Sequence, residues 1–439
     1  MRRQETRKTN KSKITPSQIV RRFNLERAFL VLLFLGILGN TSTLLRPFNE
    51  GGPGFGFGVK LWGPFSRFQN CDSPLFIEYL QSPSLLLSAG SFWQERPLYI
   101  ILGKSISLLL LQNNETAFIV LNFILLAVAG FFLYRTIMIV INENSLIKKQ
   151  TSLQFTDFQK FTYASFPVLV ALLNLPTRGY LWTAHFQIFN ILIPVLCLYH
   201  FAYVAQHRKL PLSIFRLSFI SGIFLLAYPG SNIYVISVAV SLIALRRPGQ
   251  TFYFLVLSYL PTLCWYLYIV ERNGFFFSQS TVQWKQFVWI SEAFNAGKLE
   301  VAVIDQLNSF YRSFNDPYIT ISLYLALASF LILILSNFRN LKFLKRKLGL
   351  GMSLILIPTY IMALYGVGTY APRLNWPLVI VLVTLIWSFV IRLDLTSRLN
   401  HIQNRTERSK IRELLVGLVF LTPSVFWFIR FCVTLGPWS

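Results

Sequence analysis

Charged residues are scarce in this chain. Only 13% of its 439 residues are Asp, Glu, Lys or Arg, whereas soluble globular proteins carry about 25%. Acids are the rarest, with 17 Asp and Glu against 41 Lys and Arg, and none lies between Asp157 and Glu271. Hydrophobic residues make up 54% of the chain. This composition excludes a soluble globular protein and a disordered one, because the charge cannot cover a soluble surface and the apolar content is too high for disorder.

Cysteine is also rare, with four residues in the whole chain. They form no CxxC pair and no spacing typical of a metal site, so the sequence excludes a disulfide scaffold and a zinc ribbon. Buried thiols in apolar segments usually only pack against their neighbours. The sequence therefore predicts packing as the main role of the cysteines and leaves open one bridge, Cys71–Cys432, on the outer face.

Long apolar blocks recur along the chain, each close to the roughly 20 residues that cross a bilayer as a helix. Basic clusters adjoin these blocks, as cytoplasmic loops do under the positive-inside rule. The pattern predicts an all-α polytopic bundle with a cytoplasmic N-terminus, in which residues 1–27 are a basic tail and 28–439 form a single membrane domain. About eleven spans are predicted, at residues 28–45, 117–140, 161–176, 184–206, 212–229, 231–247, 250–270, 318–337, 349–368, 374–392 and 413–434.

One apolar block, Pro97–Gln112, does not fit this alternation, because a crossing here would move the basic clusters that follow it to the outside. Its Lys104 would also be costly beside lipid tails. We therefore expect a non-spanning helix in the first external segment, 46–116. A second external segment, 271–317, has the apolar spacing of amphipathic helices that lie on a membrane.

The basic excess, a net charge of +24, would also suit nucleic acid. The basic residues lie beside apolar blocks, however, and no basic–aromatic module of a soluble domain is present. Anionic lipid contacts explain the charge, so we expect membrane lipids as partners and no nucleic acid.

Because acids are scarce, few residues could serve as a catalytic carboxylate. A catalytic carboxylate on the outside must come from one of the two external segments, and Asp72, just before Ser73-Pro74, is the best placed. Asp72 also suits a helix cap. Arg373 stands at the predicted outer mouth of a span, against the positive-inside trend, and so calls for an anionic partner such as a lipid headgroup or a bound lipid phosphate.

Three elements resemble the C-type membrane glycosyltransferases, which use polyprenyl-phosphate sugars and include protein mannosyltransferases and aminoarabinose transferases. They are the loop acid in Asp72-Ser73-Pro74-Leu75-Phe76-Ile77-Glu78-Tyr79, the entry motif Arg96-Pro97-Leu98-Tyr99, and the late segment Tyr370-x-x-Arg373-Leu374-x-x-Pro377. The resemblance implies that Asp72 is a general base, that Arg373 binds the donor phosphate and that Arg96 is the arginine at the base of the loop. We further expect Arg96 and Lys104 to bind the donor phosphate, and Glu78, His185 and Tyr370 to contact substrate. The family often has an acid where this chain has His185, which leaves a divalent metal open; no cofactor and no metal ligand is assigned.

The implied function is the transfer of a sugar from a polyprenyl-phosphate donor to a saccharide, lipid or protein acceptor at the outer face of a bacterial inner membrane. Two alternatives remain. One is a flippase or transporter for lipid-linked saccharides, which would need ionisable residues along a path through the bundle. The other is a non-catalytic assembly protein, which the missing second acid allows.

Overall fold

The computed structural model describes residues 26–42, 73–88, 94–110, 114–143, 156–276, 288–336, 351–367, 372–403 and 410–433. Within these ranges the chain is helical and contains no strand. The predicted all-α class is therefore confirmed. The α-helices are α1 Arg27–Ser42, α2 Ser73–Gln81, α3 Pro97–Leu109, α4 Asn114–Glu143, α5 Asp157–Leu172, α6 Leu175–Tyr180, α7 Phe189–His207, α8 Ile214–Ala227, α9 Asn232–Ala244, α10 Pro248–Asn273, α11 Val288–Asn295, α12 Leu299–Phe314, α13 Pro317–Ser336, α14 Leu356–Val367, α15 Pro372–Gln403 and α16 Lys410–Val433.

A helix occurs at each of the eleven predicted spans, namely α1, α4, α5, α7 to α10 and α13 to α16. Five of the described helical segments are long and apolar enough to cross a membrane: Thr116–Asn142, Phe186–His207, Pro248–Asn273, Pro317–Leu335 and Leu374–Leu395. Shorter apolar helices include α1, α8 and the α9 region. The chain is thus an α-helical integral membrane protein, and crossing by the shorter helices stays a prediction.

Hydrogen bonds show which helix ends lie together. At one end of the bundle, here called the lower end, Glu26 accepts from the Tyr134 hydroxyl at 2.5 Å and lies 3.2 Å from Lys160 Nζ. At the other, upper end, Asn40 Nδ2 donates to the Leu172 carbonyl at 2.9 Å. Hence α1 and α5 run side by side in the same direction and α4 runs against them, as the predicted alternation requires. The predicted cytoplasmic N-terminus would put the upper end outside the cell, and this sidedness stays a prediction.

The core is built around α7 and α15, which pack on each other. In each, 83% of the membrane-length window is buried, against 17% in α10. Since lipid tails are as apolar as leucine, such a centre is held together by close packing and hydrogen bonds rather than by a hydrophobic drive. The two most buried segments therefore form the axis of the bundle, and α10 lies at its edge.

Helix α3 corresponds to the predicted non-spanning block. Its 13 residues extend roughly 20 Å at 1.5 Å per residue, the same length as the predicted span α9. That α3 does not cross the bilayer therefore stays a prediction. It packs against α4 and α8, and a Cβ at Gly103 would lie 2.6 Å from the Phe118 ring. Glycine at this position allows the close approach of α3 to α4.

Candidate functional site

A buried connection between α5 and α7 crosses the upper end of the bundle. We call residues 174–190 the crossing segment. It begins with a capping box, in which Asn174 Oδ1 accepts from Thr177 N at 2.9 Å and Thr177 Oγ1 accepts from Asn174 N at 3.0 Å. Helix α6 and a short 3₁₀ turn at Phe186–Ile188 follow. Nearly every residue of this segment is buried, although it is rich in polar side chains.

Arg96 is held against one end of the crossing segment. It precedes Pro97 at the N-cap of α3, is 9% exposed, and its Cζ lies 3.8 Å from the centre of the Phe186 ring. Such a cation–π contact is worth more when both groups are shielded from water. The preceding turn is fixed because the Trp265 indole donates to the Gln94 carbonyl at 2.7 Å, which ties the start of α3 to α10.

Aromatic and amide side chains surround this arginine. The His185 ring stacks on Phe186 with centroids 4.4 Å apart, and Phe186 lies 5.5 Å from Tyr228. The Tyr228 hydroxyl donates to Asn190 Oδ1 at 2.6 Å, and the Asn190 amide donates to Gln187 Oε1. We call these residues, Arg96, His185, Phe186, Gln187, Asn190 and Tyr228, the Arg96 cluster.

Asn122 ties α3 and α4 to the crossing segment. It accepts from the Tyr99 hydroxyl at 3.0 Å and donates to the carbonyls of Thr183 at 2.9 Å and Tyr180 at 3.2 Å. All of these groups are buried, where an unmade hydrogen bond is costly. These hydrogen bonds fix α3 and the crossing segment relative to each other, and Arg96 lies between them.

A second cation–aromatic group lies at the other end of the crossing segment. Arg178, only 1% exposed, donates through Nη1 to the Tyr318 hydroxyl at the start of α13. Its Cζ is 5.5 Å from the Tyr318 ring, and the Cζ of Arg430 on α16 is 5.9 Å from the same ring. Tyr318 also lies 6.1 Å from Trp427. We call Arg178, Tyr318, Trp427 and Arg430 the Arg178 cluster.

Asp316 is a carboxylate next to this cluster. Its Oδ1 accepts from the backbone N–H of Tyr318 at 2.9 Å and of Ile319 at 3.2 Å, which caps α13. Burial raises the pKa of Asp316 above its usual value, and the two N–H donors and the Arg178 charge oppose that rise. The carboxylate is therefore directed at the helix end.

Of the residues singled out in the sequence, Arg96 and His185 meet through Phe186. Lys104 is half-buried about two turns further along α3, and Glu78 is exposed on α2. Phe76, on the opposite side of α2 from Glu78, contacts His185 with ring centroids 6.0 Å apart. Asp72 and Tyr370 lie outside the described residues, as does the side chain of Arg373, whose backbone opens α15. Their predicted roles stay predictions.

The described part of the chain contains no group of three His, Cys, Asp or Glu that could hold a metal ion. Asp72 and the rest of residues 43–72 lie outside that part.

Arg178 and Arg430 were missed in the sequence. The signal was present, because each stands at the predicted outer end of a span, where basic residues are disfavoured, just as Arg373 does. What the sequence cannot show is that α6 and α16 bring the two arginines to one tyrosine.

The fold and site thus define an α-helical integral membrane protein with two arginine–aromatic clusters at one end of the described bundle. No protein-family model and no curated protein matches the chain. Among solved structures it is similar to the oligosaccharyltransferase of Archaeoglobus fulgidus, which was crystallised tethered through a disulfide bond to an acceptor peptide with the NVT sequon. The TM-score is 0.49 at 13% identity, over 95% of this chain and 56% of that one. The chain therefore spans little more than half the length of that protein.

Proposed function

We propose that this protein is a membrane glycosyltransferase that transfers a sugar from a polyprenyl-phosphate donor to an acceptor hydroxyl at the upper end of the bundle. Asp72 is the general base, and Arg373, Arg96 and Lys104 bind the donor phosphate. Glu78, His185 and Tyr370 contact the sugar or the acceptor.

The proposed reaction needs only a base and a phosphate-binding cation from the protein, because the donor sugar is already activated. The acceptor oxygen attacks the anomeric carbon and its proton passes to the Asp72 carboxylate. The bond between the anomeric carbon and the phosphate oxygen breaks, and the electron pair leaves with polyprenyl phosphate. A positioned base contributes about 10²–10⁴-fold, and a fixed cation stabilises the charge that develops on the departing phosphate.

The observation that carries this proposal is Arg96, a buried cation at the upper end of an apolar bundle. Its guanidinium covers an aromatic ring at 3.8 Å and adjoins a hydrogen-bonded row formed by Tyr228, Asn190 and Gln187. Aromatic faces and amides suit a sugar, whereas a guanidinium suits phosphate. This combination of groups suits a donor in which a sugar is joined to a lipid phosphate.

The test is sugar transfer by purified full-length protein supplied with polyprenyl-phosphate sugars and candidate acceptors. We expect Asp72→Asn to lower turnover at least 100-fold because the base is lost, with donor binding retained. Arg373→Ala and Arg96→Ala should weaken donor binding, while the exposed Arg272→Ala should not. Wild-type turnover in Asp72→Asn would exclude Asp72 as the base.

One observation favours the transporter alternative. His200 is 1% exposed within α7, and neither ring nitrogen has a hydrogen-bond partner among the described residues. Ionisable residues inside a membrane often mark a transport path. If the protein moves lipid-linked saccharides, His200→Phe would abolish their translocation in proteoliposomes; a glycosyltransferase would retain sugar transfer in this variant.

A further inference from the structure

Five exposed cations lie at the lower end of the bundle, opposite the proposed site. We call them the lower cation surface, and they are Arg208, Lys209, Arg216, Arg246 and Arg247. None of the five forms an ion pair with a described residue, and Arg247 Nη1 donates to the neutral Gln250 Oε1 at 3.4 Å. No Asp or Glu occurs between Asp157 and Glu271, so the helices that carry these cations bring no carboxylate to this end.

The packing of four helices brings the cation-bearing turns together. One turn, 208–213, joins α7 to α8, and the other, 245–247, joins α9 to α10. Helix α7 leaves the crossing segment at the upper end, so these turns lie at the lower end. Since α7 packs on α9 and α8 packs on α10, the two turns are neighbours. The Ser218 hydroxyl donates to the Phe254 carbonyl at 3.5 Å, which sets the first turn of α8, with Arg216, beside the first turn of α10.

Two of these arginines have an unfavourable backbone conformation. Arg208 has a φ of 53° and Arg246 a φ of 59°, in the left-handed region that glycine adopts with least strain. Among the residues that the structure describes, no other non-glycine residue has a positive φ. Arg208 also follows the last turn of α7, where glycine is common. Glycine would suit the backbone of both turns better, and the property that arginine adds is a charged side chain.

Exposed aromatic side chains lie next to the cations, on the first turns of α8 and α10. Phe215 and Phe219 on α8 are 71% and 58% exposed, and Phe252 and Tyr253 on α10 are 67% and 66% exposed. A lipid whose headgroup is bound by the cations would have apolar surface for its acyl chains on both helices. A soluble anion would use none of this surface, so the combination favours an anionic lipid.

The division of the charge between two turns favours a lipid with two phosphates. Phosphatidylglycerol has one phosphate and would contact one turn. Cardiolipin has two phosphates joined by a glycerol unit, so it can contact both turns at once. Guanidinium groups bind phosphate oxygens in pairs, and basic pockets between membrane helices suit headgroups of this class.

We propose that the lower cation surface binds one cardiolipin molecule. Arg208 and Lys209 contact one phosphate, and Arg246 and Arg247 contact the other, with Arg216 beside the second pair. The bound lipid holds the two short turns together and so fixes α7 and α8 relative to α9 and α10. This site is separate from the Arg96 and Arg178 clusters and does not depend on the proposed function.

The experiment is native mass spectrometry of the full-length protein in detergent, titrated with cardiolipin, which resolves each bound lipid and its affinity. We expect Arg246→Gln/Arg247→Gln to weaken the tightest binding at least tenfold, because one phosphate loses both guanidinium partners. The matched control, Arg272→Gln/Lys298→Gln, removes the same charge from exposed residues outside this surface and should stay within twofold of wild type. Equal affinities in the two double variants would overturn the proposal.

Single variants separate the charge of Arg246 from its backbone conformation. Arg246→Gly relieves the left-handed backbone, so without lipid its unfolding midpoint should exceed that of Arg246→Gln. Both variants should bind cardiolipin equally weakly, because both lack the guanidinium. Arg246→Lys keeps the charge and should retain most of the affinity. Wild-type affinity in Arg246→Gly would show that the charge is not used and overturn the proposal.

Separate arms identify the source of the phosphate. Phosphatidylglycerol that binds as tightly as cardiolipin would show a general anionic-lipid surface and overturn the two-phosphate site. Inorganic pyrophosphate that displaces cardiolipin at equal concentration would show a site for a soluble anion and overturn it as well. Sugar transfer by the same variants tests the proposed function independently, since no substituted residue belongs to the proposed site.

Discussion

At the residue scale, the upper end of the bundle is governed by how each buried charge is compensated. Arg96 lies over a ring, Arg178 donates to a tyrosine hydroxyl, and Asp316 accepts two backbone N–H groups. These three arrangements differ in how much free energy the burial of the charge costs. Desolvation is the largest influence on Asp316, which means that the fold accommodates its neutral form better than its charged one.

Asp316→Asn is therefore expected to stabilise the protein at neutral pH. A carboxyl whose pKa is raised by folding contributes its full stability below its ordinary pKa and loses it as pH rises towards the folded value. Asparagine caps a helix about as well as aspartate and does not ionise. Thermal unfolding in detergent should show a higher midpoint for Asp316→Asn than for wild type at pH 7 and no difference near pH 3.5.

A wild type whose midpoint is equal to or above that of Asp316→Asn at pH 7 would contradict the role of burial and show that the N–H donors and the Arg178 charge outweigh it. Glu292→Gln serves as the control, because this exposed carboxylate on α11 should leave the midpoint unchanged at both pH values.

At the element scale, the position of α3 depends on contact with α4 that only a small residue permits. Gly103 faces the Phe118 ring at a distance that leaves no room for a Cβ, and Tyr99 and Asn122 join the same two helices by a hydrogen bond. Close approach through small residues is a common way to pair helices in membranes. Arg96 at the start of α3 is set by this packing.

Gly103→Val should displace α3 and so move Arg96, although residue 103 is not part of the Arg96 cluster. Overpacking of this kind costs about 1–3 kcal/mol, so we expect a lower unfolding midpoint and weaker binding of geranylgeranyl phosphate. Size-exclusion chromatography of heated samples measures the first effect and calorimetry the second. Ser105→Ala, on the exposed side of the same helix, should change neither; equal behaviour of Gly103→Val and Ser105→Ala would show that the contact does not matter.

The sequence predicts some of the helices but not the crossing segment. The positions of the long apolar helices and of the short α3 could be predicted, because hydrophobic length and flanking charge decide them locally. The crossing segment could not, since its burial arises from contacts with Tyr99, Asn122 and Tyr318, which are distant in the chain. For the same reason, Arg96 and His185 were found by a motif and by their position, whereas the pairing of Arg178 with Arg430 needed the fold.

At the scale of the whole molecule, the alternation of helix directions makes a prediction about sidedness. Glu292 on α11 and Lys209 after α7 are both exposed and belong to opposite ends in the predicted topology. In a variant without the natural cysteines, Glu292→Cys should react with a membrane-impermeant maleimide in intact cells, whereas Lys209→Cys should react only after permeabilisation. The reverse pattern would place the proposed site in the cytoplasm and exclude an outer-face reaction.

The uneven burial of the helices determines which positions tolerate amino-acid substitutions. Most of the apolar side chains of α10 are exposed on the outside of the bundle. Exchanging one apolar side chain for another on this helix should therefore leave folding and activity intact. On α7 and α15, where 83% of each membrane-length window is enclosed, the same exchanges would open voids or create clashes. Saturation mutagenesis with a growth or folding readout should thus find that substitutions are tolerated on α10 and harmful on α7 and α15.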